Sequence, residues 1–308
     1  MGEARPSRRP RPAPAPVPGQ PALSLRDLRR VAAFVDGEVG IQLPDTKQTL
    51  VEGRLRKRLR ALGYHDFTAY LDHVLEDPEG RHERLHLIDA LTTNKTEFFR
   101  EPAHFRYLVE QALPVMEANR LRDGRRKLGL WSAGCSTGEE PYTLAMVLNE
   151  ARESRPDLRF GILATDISNS CLETARRAVY PEGRIAPVPM ALRRKYLLRS
   201  RDPGEGLVQM GPALRRCVRF GGLNLTAERF RLEQPMDAIF CRNVMIYFDG
   251  PTRSRLVQRF EQQLVPGGYL FVGHSESLNG LDSQLVQVAP MVYQRPGRGD
   301  LRKGAQRP

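Results

Sequence analysis

The N-terminal part of the chain repeats apolar residues with a helical period. Residues 24–39 and 46–62 each carry apolar side chains at every third or fourth position, which predicts two helices with one buried face. Similar repeats predict shorter helices at 66–76 and 80–91. The buried stripe of the second helix is expected to comprise Val51, Leu55, Leu59 and Leu62. The pattern indicates a small all-helical N-terminal domain over residues 22–91.

After Arg120 the pattern changes to short apolar strands that alternate with helical segments. Strands are predicted at 127–134, 159–167, 235–244 and 267–275. A helix at 139–154 follows the first strand. This order is typical of a parallel α/β sheet, whose ligands bind at the carboxyl ends of the strands. We therefore expect a linker at 92–126 and an α/β domain at 127–295.

The formal net charge of +12 would by itself favour a nucleic-acid-binding protein. The excess of Lys and Arg is confined to residues 1–20, 47–60 and 295–308. The two terminal segments are rich in Pro, Gly and Arg, so we expect disordered tails at 1–21 and 296–308. Because most of this charge lies in the tails, no nucleic-acid partner is expected.

The remaining basic segment lies on the predicted helix at 46–62. There Lys47, Arg54 and Arg58 are expected near one another on the outer side of the helix. Such a surface is either an ordinary solvated face or a docking site for an acidic partner.

No apolar run approaches the roughly eighteen residues of a membrane-spanning helix, and the N-terminus lacks the apolar core of a secretory signal. The spacing of the four cysteines matches no metal or redox motif. They are Cys135, Cys171, Cys217 and Cys241. We expect a cytoplasmic protein with reduced cysteines and no membrane insertion.

The first predicted strand runs into a turn that contains Gly134 and Gly138. Glycine lets the backbone approach a ligand closely, and the following helix start offers free N–H groups. The turn lacks the Lys of a P-loop and is not a G-x-G-x-x-G motif. Glu139 and Glu140 suit the start of a helix but would repel a pyrophosphate. The turn therefore favours a ligand with hydroxyls or a cationic amino-acid end.

The second predicted strand ends in Asp166, which is placed either to accept hydrogen bonds from a ribose or to cap the next helix. Together with the glycine turn, it indicates a nucleoside ligand, with S-adenosylmethionine ahead of a dinucleotide. The strand at 235–244 ends in Arg242 and Asn243, which either face this ligand or satisfy backbone groups at the sheet edge. No Asn/Asp-Pro-Pro-aromatic run follows, which disfavours methylation of amino groups.

One motif suggests a metal. His82-Glu83-Arg84-Leu85-His86 has the H-E-x-x-H pattern of zinc proteases. On a helical wheel, however, both histidines lie opposite Leu85, Ile88 and Leu91 and therefore point to solvent. A catalytic site would also need a third ligand. We expect solvated histidines and no metal.

Five motifs in order resemble one known family over about residues 22–295. They are LTTNKTEFFRE (91–101), WSAGCSTGEEPYTLAM (131–146), ATDIS (164–168), AIFCRNVMIYFD (238–249) and GGYLFVGHSESL (267–278). This set resembles the CheR-type chemotaxis receptor methyltransferases. The resemblance implies a Rossmann-like S-adenosylmethionine-dependent methyltransferase sheet with a small β-subdomain insertion, here at about 183–222, after an all-α domain. It also implies methylation of glutamate side chains of methyl-accepting chemotaxis receptors.

The same resemblance implies the site residues. The cofactor pocket is expected to be lined by Asn94, Thr96, Arg100, Gly134, Glu140, Asp166, Asn224, Leu225, Arg242 and Asn243. Glu140 and Asp166 would bind the amino-acid end and the ribose, and Asn224 and Leu225 would flank the adenine. Arg100 and Tyr247 would lie nearest the methyl group as catalytic residues.

Structural alternatives exist for part of this set. Phe98 and Phe99 are expected to pack in the core, and Arg100 could instead form an ion pair with Glu101 that links the domains. In some family members the subdomain binds a receptor C-terminal peptide, but residues 200–206 do not match that pattern securely.

Two other functions fit parts of the sequence. The total charge favours an RNA or DNA methyltransferase, and the fold alone would also suit a non-catalytic module that senses S-adenosylmethionine. The missing proline motif argues against the first, and intact Arg100, Asp166, Arg242 and Tyr247 argue against the second. A monomer that docks on the acidic helical bundle of a receptor is expected.

Overall fold

The computed structural model describes residues 22–297, which form a helical N-terminal domain followed by an α/β domain. Four helices make up the first domain: α1 (Leu25–Val39), α2 (Gln48–Leu62), α3 (Phe67–Glu76) and α4 (Arg81–Leu91). Each lies where the apolar repeat predicts a helix. The two predicted tails lie outside the described residues, apart from Pro296 and Gly297.

The apolar faces of these helices meet in one core, to which α1 contributes Val31 and Val35 and α2 contributes Val51 and Leu55. The predicted stripe of α2 is wrong at Leu62, which is 43% exposed. Leu62 is the last residue of the helix, and Gly63 then turns the chain away in a left-handed conformation (φ 75°).

The first part of the predicted linker lacks helical structure. Residues 92–101 are non-helical, and α5 (Pro102–Tyr107) then continues through a π-helical turn, Leu108–Ala112, into α6 (Leu113–Arg122). The apolar residues of these helices, Phe105, Leu108, Leu113 and Met116, are buried in the core of the α/β domain. The linker prediction is wrong for this second part because a helix with such a face is packed against the sheet.

The α/β domain contains two sheets. Its strands are β1 (Leu128–Ala133), β2 (Phe160–Asp166), β3 (Val179–Pro181), β4 (Leu197–Arg199), β5 (Leu207–Met210), β6 (Val218–Gly222), β7 (Met236–Cys241), β8 (Leu264–Val272), β9 (Val286–Ala289) and β10 (Val292–Gln294). The large sheet has the order β6-β2-β1-β7-β8-β10-β9, and only β10 in it runs in the opposite direction to the other strands. The four predicted strands are its central strands β2, β1, β7 and β8.

Helices connect and cover the strands of this sheet. They are α7 (Glu139–Ser154), α8 (Asn169–Arg177), α9 (Met190–Tyr196), α10 (Pro212–Arg215) and α11 (Gly250–Gln263). None of the helices within residues 22–297 is both long and apolar enough to cross a membrane.

The small antiparallel sheet, in the order β3-β5-β4, is the expected β-subdomain. The predicted bounds of 183–222 are wrong at both ends. Strand β3 precedes residue 183, whereas β6 pairs in parallel with β2, with Val218 opposite Ile162. Val218 is buried in the core of the large sheet, so its strand extends that sheet and does not join the subdomain.

A buried ion pair lies at the side of the large sheet where the parallel strands begin. The fully buried Asp237 of β7 accepts two hydrogen bonds from Arg125, at 2.7 and 2.8 Å, and a third from the backbone N–H of Gly129, at 2.8 Å. A carboxylate is needed here because all three partners are donors.

Asp237→Asn should therefore lower the free energy of unfolding by about 3 kcal/mol, since an amide N–H₂ would face a donor and leave Arg125 without its charge partner. Chemical denaturation measures this, with the exposed Asp157→Asn as the matched control. Equal stability of the two variants would contradict the assigned role.

Candidate functional site

A cleft of about 980 Å³, including its open mouth, lies at the carboxyl ends of β1, β2 and β7. Residues 92–97 form one wall, and Val39 and Ile41 of the N-terminal domain contribute to another. All eleven residues predicted for the cofactor pocket and for catalysis line it: Asn94, Thr96, Arg100, Gly134, Glu140, Asp166, Asn224, Leu225, Arg242, Asn243 and Tyr247. The sequence motifs thus converge on one space that is large enough for a small molecule.

In the turn after β1, the backbone of Gly134 lines this cleft without a side chain in between. Gly134 has a φ of 85°, and a Cβ atom there would lie 2.5 Å from Cγ2 of Val244. Any other residue would therefore be strained and would clash with the cleft wall. The backbone N–H of Gly134 donates to the carbonyl of Thr165 on β2, which fixes the turn.

Asp166, at the end of β2, is nearly buried beside this turn. Its two carboxylate oxygens accept from the backbone N–H groups of Ser136 (2.7 Å) and Ser168 (2.9 Å). Burial raises the pKa of Asp166, although these hydrogen bonds act in the opposite direction. Asp166 therefore both caps the chain after β2 and keeps further acceptor capacity toward the cleft, because each carboxylate oxygen can accept two bonds.

Arg242 is the central charged group of the cleft. Its side chain is 2% exposed and pairs with Glu140 at 3.1 Å and with Glu101 at 3.0 Å. The guanidinium also donates to the carbonyl of Arg100 and lies over the ring of Phe105, 5.4 Å from its centroid. One cation thus holds β7, α7 and the segment before α5 together.

The two carboxyl groups beside Arg242 differ in their pKa. Burial raises the pKa of Glu140, which also accepts from the hydroxyl of Ser132 at 2.6 Å. Burial acts to raise the pKa of Glu101 as well, but the charge and hydrogen bond of Arg242 outweigh it and lower the pKa. The ion pair considered for Arg100 and Glu101 is therefore wrong, because Glu101 is paired with Arg242.

Arg100 lies at a constrained point of the chain. The residues on either side of it, Phe99 and Glu101, have φ angles of 56° and 54°, which non-glycine residues rarely adopt. Its guanidinium donates to the carbonyl of Lys95 at 3.2 Å. Phe98 is fully buried and Phe99 packs on the same core, as predicted. This anchoring places Arg100 in the cleft wall with further N–H donors available.

Tyr247 ends a short 3₁₀ turn, Met245–Tyr247, that follows β7. Its carbonyl accepts from the backbone N–H of Gln42 at 3.0 Å. Asn224 makes a second contact to the N-terminal domain, since its side-chain amide donates to the carbonyl of Glu38 at 2.7 Å. The N-terminal domain therefore forms part of the cleft.

Asn243 has a φ of 61°, and the sequence did not reveal the residue that holds it there. The buried Glu276 accepts from the backbone N–H groups of Asn243 (2.6 Å), Gly273 (2.7 Å) and Ile246 (3.3 Å). Glu276 belongs to the GHSES motif, which follows the buried strand β8, and an acid so close to a strand end was the signal in the sequence. Asn243 lines the cleft, and its Oδ1 is buried without a hydrogen-bond partner.

The three predicted docking residues lie on α2 or in the turn before it, and two of them have partners inside the protein. Arg54 donates to the carbonyls of Leu91 (2.5 Å) and Thr92 (3.0 Å), whereas Arg58 forms a two-point ion pair with Glu83 at 2.5 and 2.6 Å. Lys47 is exposed. The charge of Arg54 remains uncompensated by these neutral partners, while that of Arg58 is neutralised by Glu83.

The H-E-x-x-H motif lies on α4, where His82 and His86 are exposed, as expected. The helical wheel was wrong for Leu85, which is 53% exposed; Leu87 is buried in its place. The carboxylate of the buried Glu83 pairs with Arg58 and accepts a hydrogen bond from the hydroxyl of Tyr70 at 3.0 Å.

The chain is similar in sequence to a known protein family over most of its length. Residues 26–92 match the family model described as "CheR methyltransferase, all-alpha domain", and residues 94–293 match "CheR methyltransferase, SAM binding domain". A "Chemotaxis protein methyltransferase" of Borreliella burgdorferi is 41% identical over 87% of this chain and 94% of its own length. The protein of that name in Escherichia coli is 40% identical over 88% of this chain and 91% of its own. "Chemotaxis protein methyltransferase 2" of Pseudomonas aeruginosa is 39% identical over 87% of this chain and 92% of its own length.

These matches span both domains, and the cleft residues predicted from the sequence lie within the matched SAM-binding segment. They confirm the resemblance, the fold class and the cofactor that the motifs predict. The chain belongs to the CheR methyltransferase family and binds S-adenosylmethionine.

Proposed function

We propose that this protein methylates glutamate side-chain carboxylates of methyl-accepting chemotaxis receptors, which yields glutamate methyl esters and S-adenosylhomocysteine. The convergence of Arg100, Tyr247 and the cofactor residues on one cleft carries this proposal. The chemotaxis methyltransferases that the chain resembles over most of its length supply the receptor as substrate class.

The cleft fits S-adenosylmethionine in two respects. The turn at Gly134 leaves a cradle that any Cβ would fill, and the carboxyl groups of Glu140 and Asp166 line the same cleft. Glu140 would bind the cationic amino-acid end, Asp166 the ribose hydroxyls, and Asn224 with Leu225 the adenine. Asn94, Thr96, Arg242 and Asn243 would complete the pocket around it.

When bound, the cofactor supplies a methyl group on a positively charged sulfonium. A glutamate side chain is already ionised at neutral pH, with a reference pKa of about 4.3, so it needs no general base. Because water favours the separated charges, the protein has to desolvate the carboxylate and align it with the methyl group. Arg100 would hold the carboxylate by paired N–H donors, and Tyr247 would orient it.

The basic face of α2 suits the docking of an acidic receptor helix bundle. We assign Lys47, Arg54 and Arg58 to this face, and the exposed Lys57 lies beside Arg54 and Arg58. Complementary charge would steer the receptor toward the cleft and fix its orientation. The protein would act as a monomer, since the proposed cleft needs no residue of a second copy.

The function is tested by incubating the protein with methyl-labelled cofactor and a receptor cytoplasmic fragment. We expect label on the receptor that mild base releases as methanol, because carboxyl esters hydrolyse and N-methyl groups do not. Arg100→Ala should reduce this rate about 100-fold, which corresponds to the loss of a charge pair worth about 3 kcal/mol.

The exposed Arg106→Ala on α5 is the matched control and should retain the wild-type rate. Arg100→Lys should be intermediate, because a lysine keeps the charge but not the paired donors. Base-stable label would contradict ester formation, and a wild-type rate in Arg100→Ala would contradict the role of Arg100.

Docking is tested separately by charge reversal at the two exposed lysines, because reversal at Arg54 or Arg58 would also break internal contacts. The double variant Lys47→Glu/Lys57→Glu should lower kcat/KM for the receptor roughly 10-fold at low salt, with a smaller effect at high salt, where charges are screened. Cofactor affinity should stay unchanged in a direct titration.

Arg126→Glu provides the control, since Arg126 is exposed before β1, at the edge of the sheet opposite the cleft. It should not change receptor methylation. An unchanged kcat/KM in the lysine variant at low salt would refute the docking surface.

A further inference from the structure

Beside Arg242, outside the lining of the cofactor cleft, one carboxylate and two imidazoles meet. Glu101, His104 and His274 each offer one ligand atom, and these three atoms lie within 4.8 Å of one another. Nδ1 of His104 is 3.4 Å from Oε2 of Glu101, and Nδ1 of His274 is 4.0 Å from Oε1. Within residues 22–297 this is the one group of three such side chains with metal-like spacing. We call it the Glu101 cluster.

His104 is the unusual member of the Glu101 cluster. Its side chain is 2% exposed, and neither ring nitrogen forms a hydrogen bond of good geometry, although the backbone carbonyl of Pro290 and Oε2 of Glu101 lie close to the ring. Buried polar groups are normally satisfied, so an imidazole of this kind points to a ligand that would take its lone pair. The ring is held in place by Phe271 and His274, whose centroids are 5.8 and 5.7 Å away.

The other two members provide access and charge. The side chain of His274 is 63% exposed, so the Glu101 cluster opens to solvent on that side. Arg242 pairs with Glu101 and is the one cation beside it, but Arg242 also pairs with Glu140, so two carboxylates face a single guanidinium. The local charge therefore does not exclude a dication.

We propose that Glu101, His104 and His274 form a site for Zn²⁺ or a similar borderline dication. Two imidazole nitrogens and one carboxylate oxygen are a donor set that Zn²⁺ favours. Bonds of about 2.0–2.1 Å place tetrahedral donors roughly 3.3 Å apart, so the exposed His274 has to move inward by about 1 Å. This site is distinct from the H-E-x-x-H motif, whose acid is occupied by Arg58.

Occupancy of this site acts on the cofactor cleft through Glu101. A metal ion that binds this carboxylate competes with Arg242, which holds Glu140 and the carbonyl of Arg100 in the cleft wall. The metal therefore weakens cofactor binding, and by linkage the cofactor weakens metal binding by the same factor.

The test titrates the full chain with ZnCl₂ alone in a calorimeter. We expect one site in the wild type and a loss of affinity of at least ~10-fold in His274→Ala, because even outer partners of a metal ligand change affinity by 10–100-fold. The matched control is His82→Ala/His86→Ala, which removes two exposed histidines with helical chelating spacing and should bind Zn²⁺ like the wild type.

A second titration measures S-adenosylhomocysteine affinity with and without saturating Zn²⁺, each variant against its own metal-free value. Zn²⁺ should weaken affinity about 10-fold in the wild type and in the His82/His86 control, but not in His274→Ala. Zn²⁺ affinity that survives in His274→Ala, or is lost with His82 and His86, would overturn the site. Unchanged S-adenosylhomocysteine affinity in zinc-saturated wild type would overturn the coupling.

Discussion

The buried guanidinium of Arg242 between Glu140 and Glu101 is the interaction on which the rest of the site depends. A charge that is 2% exposed is tolerated only when it is paired and hydrogen-bonded, and here the partners come from α7 and from the segment before α5. The same contact fixes the carbonyl of Arg100, so the proposed substrate-binding residue and the cofactor wall share one anchor. Breaking it would leave two carboxylates uncompensated beside the ligand.

A glycine turn and several residues with positive φ angles shape the cleft wall around Arg242. Gly134 passes so close to Val244 that no side chain fits, and Phe99, Glu101 and Asn243 keep positive φ angles. Such conformations persist only where surrounding contacts impose them, and Glu276 supplies those contacts for Asn243. The cleft is thus built from a rigid sheet edge and a few restrained turns, and the N-terminal domain closes it through Asn224 and Tyr247.

The central strands and the first four helices could be predicted from their apolar periods, and Asp166, Arg242 and Asn243 from their places at strand ends. The other cleft residues followed from the family resemblance. The short strands β6, β9 and β10 could not be predicted, since β6 has one buried residue, β9 has none, and β10 is only three residues long. The sequence also did not reveal which charged side chains form ion pairs. Glu101 pairs with Arg242, 141 residues away, and Arg58 with Glu83, so the charge that these side chains present depends on tertiary contacts.

The most direct measurement is the affinity of S-adenosylhomocysteine for wild-type protein and for Arg242→Met, which keeps an apolar stem but removes the charge. Loss of a buried pair worth about 3 kcal/mol should weaken binding about 100-fold. Calorimetry at neutral pH gives both values, with circular dichroism to establish that the variant is folded. A folded Arg242→Met variant that binds S-adenosylhomocysteine as tightly as the wild type would contradict the central role of this guanidinium.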